Sequence, residues 1–297
     1  MSDKKASPQP GILKAVPRAS RYIAMSILDD RRVAGVLALL SKQVDGDAVV
    51  MGLGARLVAQ LDARIDGLRG FPRLRSTVKI PATASALWFW IRGEDAGAVL
   101  HCSRRLETIS AGAFKIDTVV DGFRHGEGRD LTGYIDGTEN PKGAKAKRAA
   151  FVVGQGNGLD GSSFVAVQQW LHDFQQFDTM SAREQDHAIG RRRRDDVELA
   201  SAPVSAHVKR TAQEDFDPEA FVLRRSMPWI NGRKAGLMFV AFGASLDAFE
   251  AQLRRMAGMD DNIVDALFRF TRPLTGAYYW CPPMKGGTLD LSRVLPR

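Results

Sequence analysis

Apolar residues recur along this chain with two different periods, and the switching between them predicts its elements. Over residues 21–28 (RYIAMSIL) apolar and polar side chains alternate, the pattern of a strand with one buried face. Asp29 and Asp30 follow as acidic candidates for a helix cap, and residues 31–44 carry apolar side chains at helical spacing. The pattern then repeats. SALWFWIRG (85–93) predicts a strand, and residues 94–108 predict a helix whose opening Glu94 and Asp95 suit the positive end of the helix dipole. Residues 114–123 predict a further strand. Later in the chain, strands are expected at 162–170 and 236–245, and helices at 181–190 and 246–257.

Two of these units echo one another, LWFWIRGEDAGAVLHCSRRL and LMFVAFGASLDAFEAQLRRM. Each is an apolar strand, a short polar turn and an amphipathic helix ending in Arg–Arg. The echo predicts an α+β chain of two related halves, each an antiparallel sheet covered by helices. Any two strand–helix units share this outline, so an unrelated pair stays open at this point. Gly- and Pro-rich segments at 137–143 and 154–161 mark the expected boundary, which divides the chain into 8–147 and 148–297.

Length and composition narrow the class. At 297 residues the chain holds one large domain or two ordinary ones, and 44% hydrophobic with 26% charged residues is ordinary for a globular protein. Its longest apolar stretches, such as 236–244, fall far short of a membrane span. The polar start, MSDKKASPQPG, lacks the apolar stretch of a secretory signal. Cys102 and Cys281 give neither a disulfide framework nor a paired motif, so the expected location is a reducing cytoplasm. The formal charge of +8 would suit nucleic acid, but only 191–194 is densely basic and no nucleic-acid-binding signature accompanies it. Neither nucleic acid nor membrane is expected as a partner; the excess charge reads as solvated surface with some binding of small anionic groups.

The segment RDLTGYIDGTENPKG (129–143) carries the most chemical information. It has three glycines, a proline and few apolar residues, so it is neither a buried strand nor a helix interior. Glycines around Asp136 would let the backbone approach a flat ligand closely. Asp–Gly is also a common turn dipeptide, and spacing alone leaves a plain surface turn open.

Residues 133–141, GYIDGTENP, resemble the GxxDG signature of the dye-decolourising peroxidases, and FRHGEGRDLTG before them resembles the compact bacterial members. The resemblance continues in order through SFVAVQQWLHD, IGRRRRDDVEL, SAHVKRT, LRRSMPW and TRPLTGAYYWCPP, strongest from about residue 115 to 283. It implies two ferredoxin-like halves with haem b in the C-terminal one. It also implies a peroxidase that reduces hydrogen peroxide and oxidises phenolic or dye-like small-molecule donors through a ferryl intermediate. A haem storage or delivery protein is the alternative, since relatives with these motifs have been placed in both camps. A homo-oligomer is implied as well, whereas docking into a protein shell is disfavoured because nothing like a docking extension follows LDLSRVLPR.

Carried over by residue, the resemblance gives Asp136 and Arg224 distal catalytic roles and His207 the place of the axial iron ligand. Arg191 matches a position facing a haem propionate, and Gly137, Thr138 and Ser226 fall in the cofactor-lining motifs. These residue types suit the chemistry. A neutral imidazole leaves iron one open position, a carboxylate can shuttle a proton, and a guanidinium is always charged. Axial histidines usually have the far nitrogen held by an acceptor, and the resemblance points to Asp265, with Asp260 and Asp261 nearby. Glu139, Glu198 and Glu219 would form a cation site, such as one for manganese, if they converge. His101, His125, His172 and His187 are read as structural. Trp170, Trp229, Tyr278, Tyr279 and Trp280 fall in apolar stretches and are read as core.

Overall fold

The first expected strand is β1 (Ala19–Ile27), after which Asp29 accepts a hydrogen bond from Arg31 N at the start of a 3₁₀ turn leading into α1 (Val33–Gln43). A computed structural model describes residues 6–83 and 85–295, so the first five residues of the polar start and the last two of the second half lie outside it. β2 (Val49–Leu53) and α2 (Ala55–Gln60) follow, then β3 (Leu87–Gly93), α3 (Ala96–Ser110) and β4 (Phe114–Phe123). Asp95 caps α3 by accepting from Ala98 N. After α4 (Gly143–Ala150) the second half contributes β5 (Ser163–His172), then the short helices α5 (Phe174–Thr179), α6 (Ala182–Ile189) and α7 (His207–Arg210). β6 (Leu223–Arg224), β7 (Met227–Asn231), β8 (Lys234–Gly243), α8 (Asp247–Met256), β9 (Thr271–Pro273) and β10 (Ala277–Cys281) complete the set used below.

The α+β class holds, but the expectation of a separate sheet in each half is corrected. Strands of both halves share one antiparallel sheet in the order β6-β8-β7-β4-β1-β3-β2-β10-β5-β9. β5 also pairs with β8, from Phe164↔Gly243 to Leu171↔Gly236, so the sheet returns on itself as a barrel. The halves meet at two thin seams, Leu53↔Trp280 and Gly122↔Trp229. A four-stranded sheet standing alone would leave two edges of unpaired backbone; joining edge to edge removes part of that liability. The strand orders β4-β1-β3-β2 and β10-β5-β8-β7 repeat one another across the seams. The boundary expected between residues 147 and 148 falls inside α4.

Alternate residues of each strand serve different cores. Tyr22, Trp88, Trp90, Phe242 and Tyr279 fill the barrel interior, with Trp88 stacked on Tyr279 at 5.7 Å between ring centroids. Ile23, Leu87, Phe89 and Ile91 pack outward beneath α1 and α3. Both faces of β3 are therefore buried, which is why LWFWI reads as a continuous apolar run rather than an alternation. On the outer face of the second half α8 covers only part of the sheet. Residues 173–222 hold three short helices and long connections where the first half has a single long helix, and a cavity lies beneath them.

Candidate functional site

The cavity holds about 920 Å³ of space free of protein atoms, part of it open to solvent. Its sheet wall is Gln168, Trp170 and His172 of β5 with Leu237 and Phe239 of β8; α8 adds Phe249, Leu253 and Met256. Asp136, Arg224 and His207 all line it, so residues far apart in sequence meet around one space.

His207 opens α7, and its Nδ1 lies 2.8 Å from Asp265 Oδ2. The Asp265 side chain is fully buried, and its other oxygen accepts from Leu267 N at 2.8 Å, capping a 3₁₀ turn. A carboxylate that accepts on both oxygens fixes the proton of His207 on Nδ1 and leaves the Nε2 lone pair unshared. Gly190 makes this placement possible. It ends α6 at φ +95°, and a Cβ there would lie 2.2 Å from Val208 Cγ2 on α7.

Asp136 sits in a loop pinned by its own N–H, which donates to Gly128 O at 3.0 Å. Gly137, at φ +83°, turns the chain so tightly that a Cβ would meet Asn140 Nδ2 at 2.7 Å. The Asn140 amide in turn brackets the backbone of Arg224: Arg224 N donates to Oδ1 at 2.7 Å, and Nδ2 donates to Arg224 O at 3.1 Å. The loop bearing the carboxylate and the strand bearing the guanidinium are thus held as one unit. Among the described residues, neither side chain has a hydrogen-bond or ion-pair partner.

Other expected residues fall elsewhere. Thr138 Oγ1 donates to Asp196 Oδ2 at 2.6 Å, and buried Ser226 lines a small crevice on the far side of Asp136; neither lines the cavity, nor does Gly137. Arg191 is buried, but its guanidinium is claimed by Glu139, by Glu198 at 3.3 Å and by Asp196 O at 2.8 Å, away from the cavity wall. Three carboxyl-bearing neighbours hold its guanidinium there. The cation site is corrected. Glu139 and Glu198 do converge, but on the Arg191 cation, while Glu219 lies apart beside Lys145 and Arg148. Among the described residues no group of three or more His, Cys, Asp or Glu could hold a metal ion. The Trp and Tyr residues read as core are all buried.

Several residues of the site were not singled out from sequence. Asn140 is one. His172 is another: its Nε2 lies 2.9 Å from both oxygens of Asp130, and its Nδ1 lies 2.8 Å from Thr271 Oγ1. This pair lines the cavity and ties the root of the Asp136 loop to the end of β5. Asp130 stood in the same motif as Asp136, but nothing local marked His172 as its partner. Tyr134, buried in the loop, donates to Asp186 Oδ1 at 2.5 Å; burial and then that carboxylate hold its hydroxyl well above the ordinary tyrosine range.

The family model for the C-terminal part of Dyp-type peroxidases matches residues 127–286, which includes every residue of the cavity named above. A dye-decolorizing peroxidase of Mycolicibacterium paratuberculosis is 33% identical over 208 residues, 68% of this chain and 59% of that protein. The match thus spans about three fifths of that relative's length. Among solved structures, a dye-decolorizing protein from V. cholerae aligns with a TM-score of 0.82 at 26% identity, covering 92% of this chain and 96% of that one. A DypB variant from Rhodococcus jostii RHA1 in complex with heme aligns at a TM-score of 0.84 and 25% identity, covering 91% and 94%. With more than half of its residues matched by the family model, and the motif loop and cavity lying inside that match, the chain belongs to the Dyp-type peroxidase family.

Proposed function

We propose that the chain is a haem peroxidase that reduces hydrogen peroxide and oxidises small phenolic or dye-like donors, with haem b held in the cavity by His207. One observation carries the reading: a histidine braced by a buried carboxylate and an unpartnered Asp–Arg pair line the same largely apolar space. The cavity also fits the group. Gln168 and Trp170 stand in its wall, and their Nε2 and Nε1 are buried without a hydrogen-bond partner.

When bound, haem supplies the redox-active iron that delivers electrons to peroxide and recovers them one at a time from donors. The residues do the rest. His207 presents the Nε2 lone pair, and Asp265 raises its donor strength by accepting from Nδ1. Asp136 takes the proton from one peroxide oxygen and returns it to the departing one, which leaves as water; such acid–base work is worth roughly 10²–10⁴-fold. Arg224 stabilises the negative charge that builds as the O–O bond breaks, and Asn140 fixes its backbone against the Asp136 loop. A haem carrier would have no use for that pair, so the storage or delivery reading is not favoured.

The repeated strand order supports two ferredoxin-like halves, about 8–147 and 148–297, as the frame of the site. Both cysteines are free, which suits a reducing compartment, and among the described residues no helix is long and apolar enough to cross a membrane. The test is haem loading. Wild type is expected to take up one haem per chain with a Soret band that shifts on adding peroxide. His207→Ala is expected to lose or loosen the haem, and a fully loaded His207→Ala protein would overturn the ligand assignment.

A further inference from the structure

The loop that carries Asp136 is shaped from within but placed from outside. Gly126, Gly128, Gly133 and Gly137 all take positive φ, and the backbone bonds around them are local. Asp130 N donates to Tyr134 O at 2.8 Å, Gly133 N to Asp130 O at 2.9 Å and Asp136 N to Gly128 O at 3.0 Å. Such bonds fix the loop's form and leave its position on the protein to side chains. Arg129, Tyr134 and Thr138 reach Arg193, Asp186 and Asp196, all in the segment of short helices that stands off the sheet. Among the described residues, two side-chain anchors of 129–140 reach the strands themselves, one on each side of Asp136. Asn140 holds Arg224 of β6, and Asp130 meets His172 at the end of β5.

His172 is built as a fixed point. A carboxylate only accepts, so the ring's Nε2 carries a proton and donates it to Asp130, whose Oδ1 and Oδ2 each lie 2.9 Å away. The other ring nitrogen lies 2.8 Å from Thr271 Oγ1 on β9. The ring of Phe174 on α5 meets the imidazole edge-on, with centroids 5.7 Å apart. Three elements thus hold the ring. Only 6% of the His172 side chain and 14% of that of Asp130 is exposed, so water competes little for the bond between them.

We propose that His172 is a positioning residue for the peroxide reaction: through Asp130 it fixes one end of the Asp136 loop to the sheet, as Asn140 fixes the other. The role rests on Asp136 being the acid–base residue of a haem peroxidase, and His172 itself moves no proton. Displacing a reacting group by about 1 Å can cost roughly 10²-fold in rate, so an anchor this close to Asp136 is felt in turnover.

The test compares His172→Ala and Asp130→Asn with wild type, all haem-loaded, by haem content, stopped-flow rate with peroxide and hydrogen–deuterium exchange. Haem content is expected to stay at the wild-type level. The rate should fall about tenfold or more in His172→Ala, and about threefold or more in Asp130→Asn, which keeps the side chain's size. Amide exchange should quicken within 128–136 and stay unchanged outside 124–143. In an Asp136→Ala background, His172→Ala should change the remaining rate by less than about twofold, because the carboxylate it positions is already gone. A residue that only stabilises the fold would slow both backgrounds alike. Unchanged rates in both single variants, an equal loss in the Asp136→Ala background, lost haem or unchanged exchange in 128–136 would each overturn the proposal. An unchanged rate in Asp136→Ala alone would overturn instead the acid–base reading beneath it, whereas a slowed Asp136→Ala beside an unslowed His172→Ala and Asp130→Asn overturns the positioning role alone.

Discussion

The two halves of the barrel share a strand order and differ in what covers their outer faces. Over β4-β1-β3-β2 lie α1 and α3, and Leu37, Leu40, Val99 and Leu106 close-pack on Ile23, Phe89 and Ile91. Over β10-β5-β8-β7 the connection after the first strand is stretched into residues 173–222, whose short helices stand off the sheet. There the last outward positions of β5 are Gln168, Trp170 and His172 rather than aliphatic side chains. One architecture thus appears once as a packed core and once as a roofed cavity. The lesson is that the sheet sets the frame, and the length of one crossover decides whether its face is filled or left to a ligand.

The comparison can be broken most easily by core truncation. Leu37→Ala, at a fully buried position under α1, is expected to cost about 2–5 kcal/mol of unfolding free energy in denaturant titration. Leu237→Ala, on the cavity wall, removes a side chain that already borders open space and should cost under about 1 kcal/mol in the haem-free protein. Equal losses at both would mean that the second face is packed like the first.

A smaller effect probes the brace of the cavity. Asp265→Asn leaves His207 without a charged acceptor and should weaken haem affinity about 10–100-fold, read by haem transfer to a competing apoprotein. The matching change on the packed face, Ser103→Ala, should leave haem affinity unchanged, although Ser103 too is buried and hydrogen-bonded to a carboxylate, that of Glu107.

The smallest effect is a pH slope. Burial raises the hydroxyl pKa of all four tyrosines, Tyr22, Tyr134, Tyr278 and Tyr279. The unfolded chain loses these protons near pH 10 while the folded chain keeps them, so stability is full below about pH 10 and falls as pH rises above it. Tyr134→Phe should lessen that fall by about 1.4 kcal/mol per pH unit between pH 10.5 and 11.5, measured by denaturant unfolding. An unchanged slope would mean that Tyr134 ionises as freely in the cavity loop as in the unfolded chain.

Long elements with a clear period were legible in the sequence. β1, β3, β4, β5 and β8 and the helices α1, α3, α6 and α8 fall within a few residues of their expected places. β2 was not, because VVMGL is buried at every position and shows no alternation. β6 and β7 are pieces of one edge interrupted at Arg225–Ser226, and β9 and β10 are interrupted likewise, so neither pair forms a run long enough to show a period. The joins between the two halves rest on single residue pairs between distant strands, which no local pattern encodes. At the site, Asp136, His207 and Arg224 were reached through ordered motifs, and the structure gathers them. Sequence order hid that Glu139 and Glu198 fold back onto Arg191. The Asp130–His172 pair was missed because its members are joined only by the folding of β5 against the loop.

The proposed division of labour across the cavity, in which His207 would hold the cofactor and Asp136 would move the proton, is tested most directly by Asp136→Ala. The measurement is the stopped-flow rate of the peroxide reaction in haem-loaded protein, with haem content determined on the same sample. Wild-type haem occupancy with a rate lowered about 10²–10⁴-fold is the predicted result. An unchanged rate at full occupancy would contradict it.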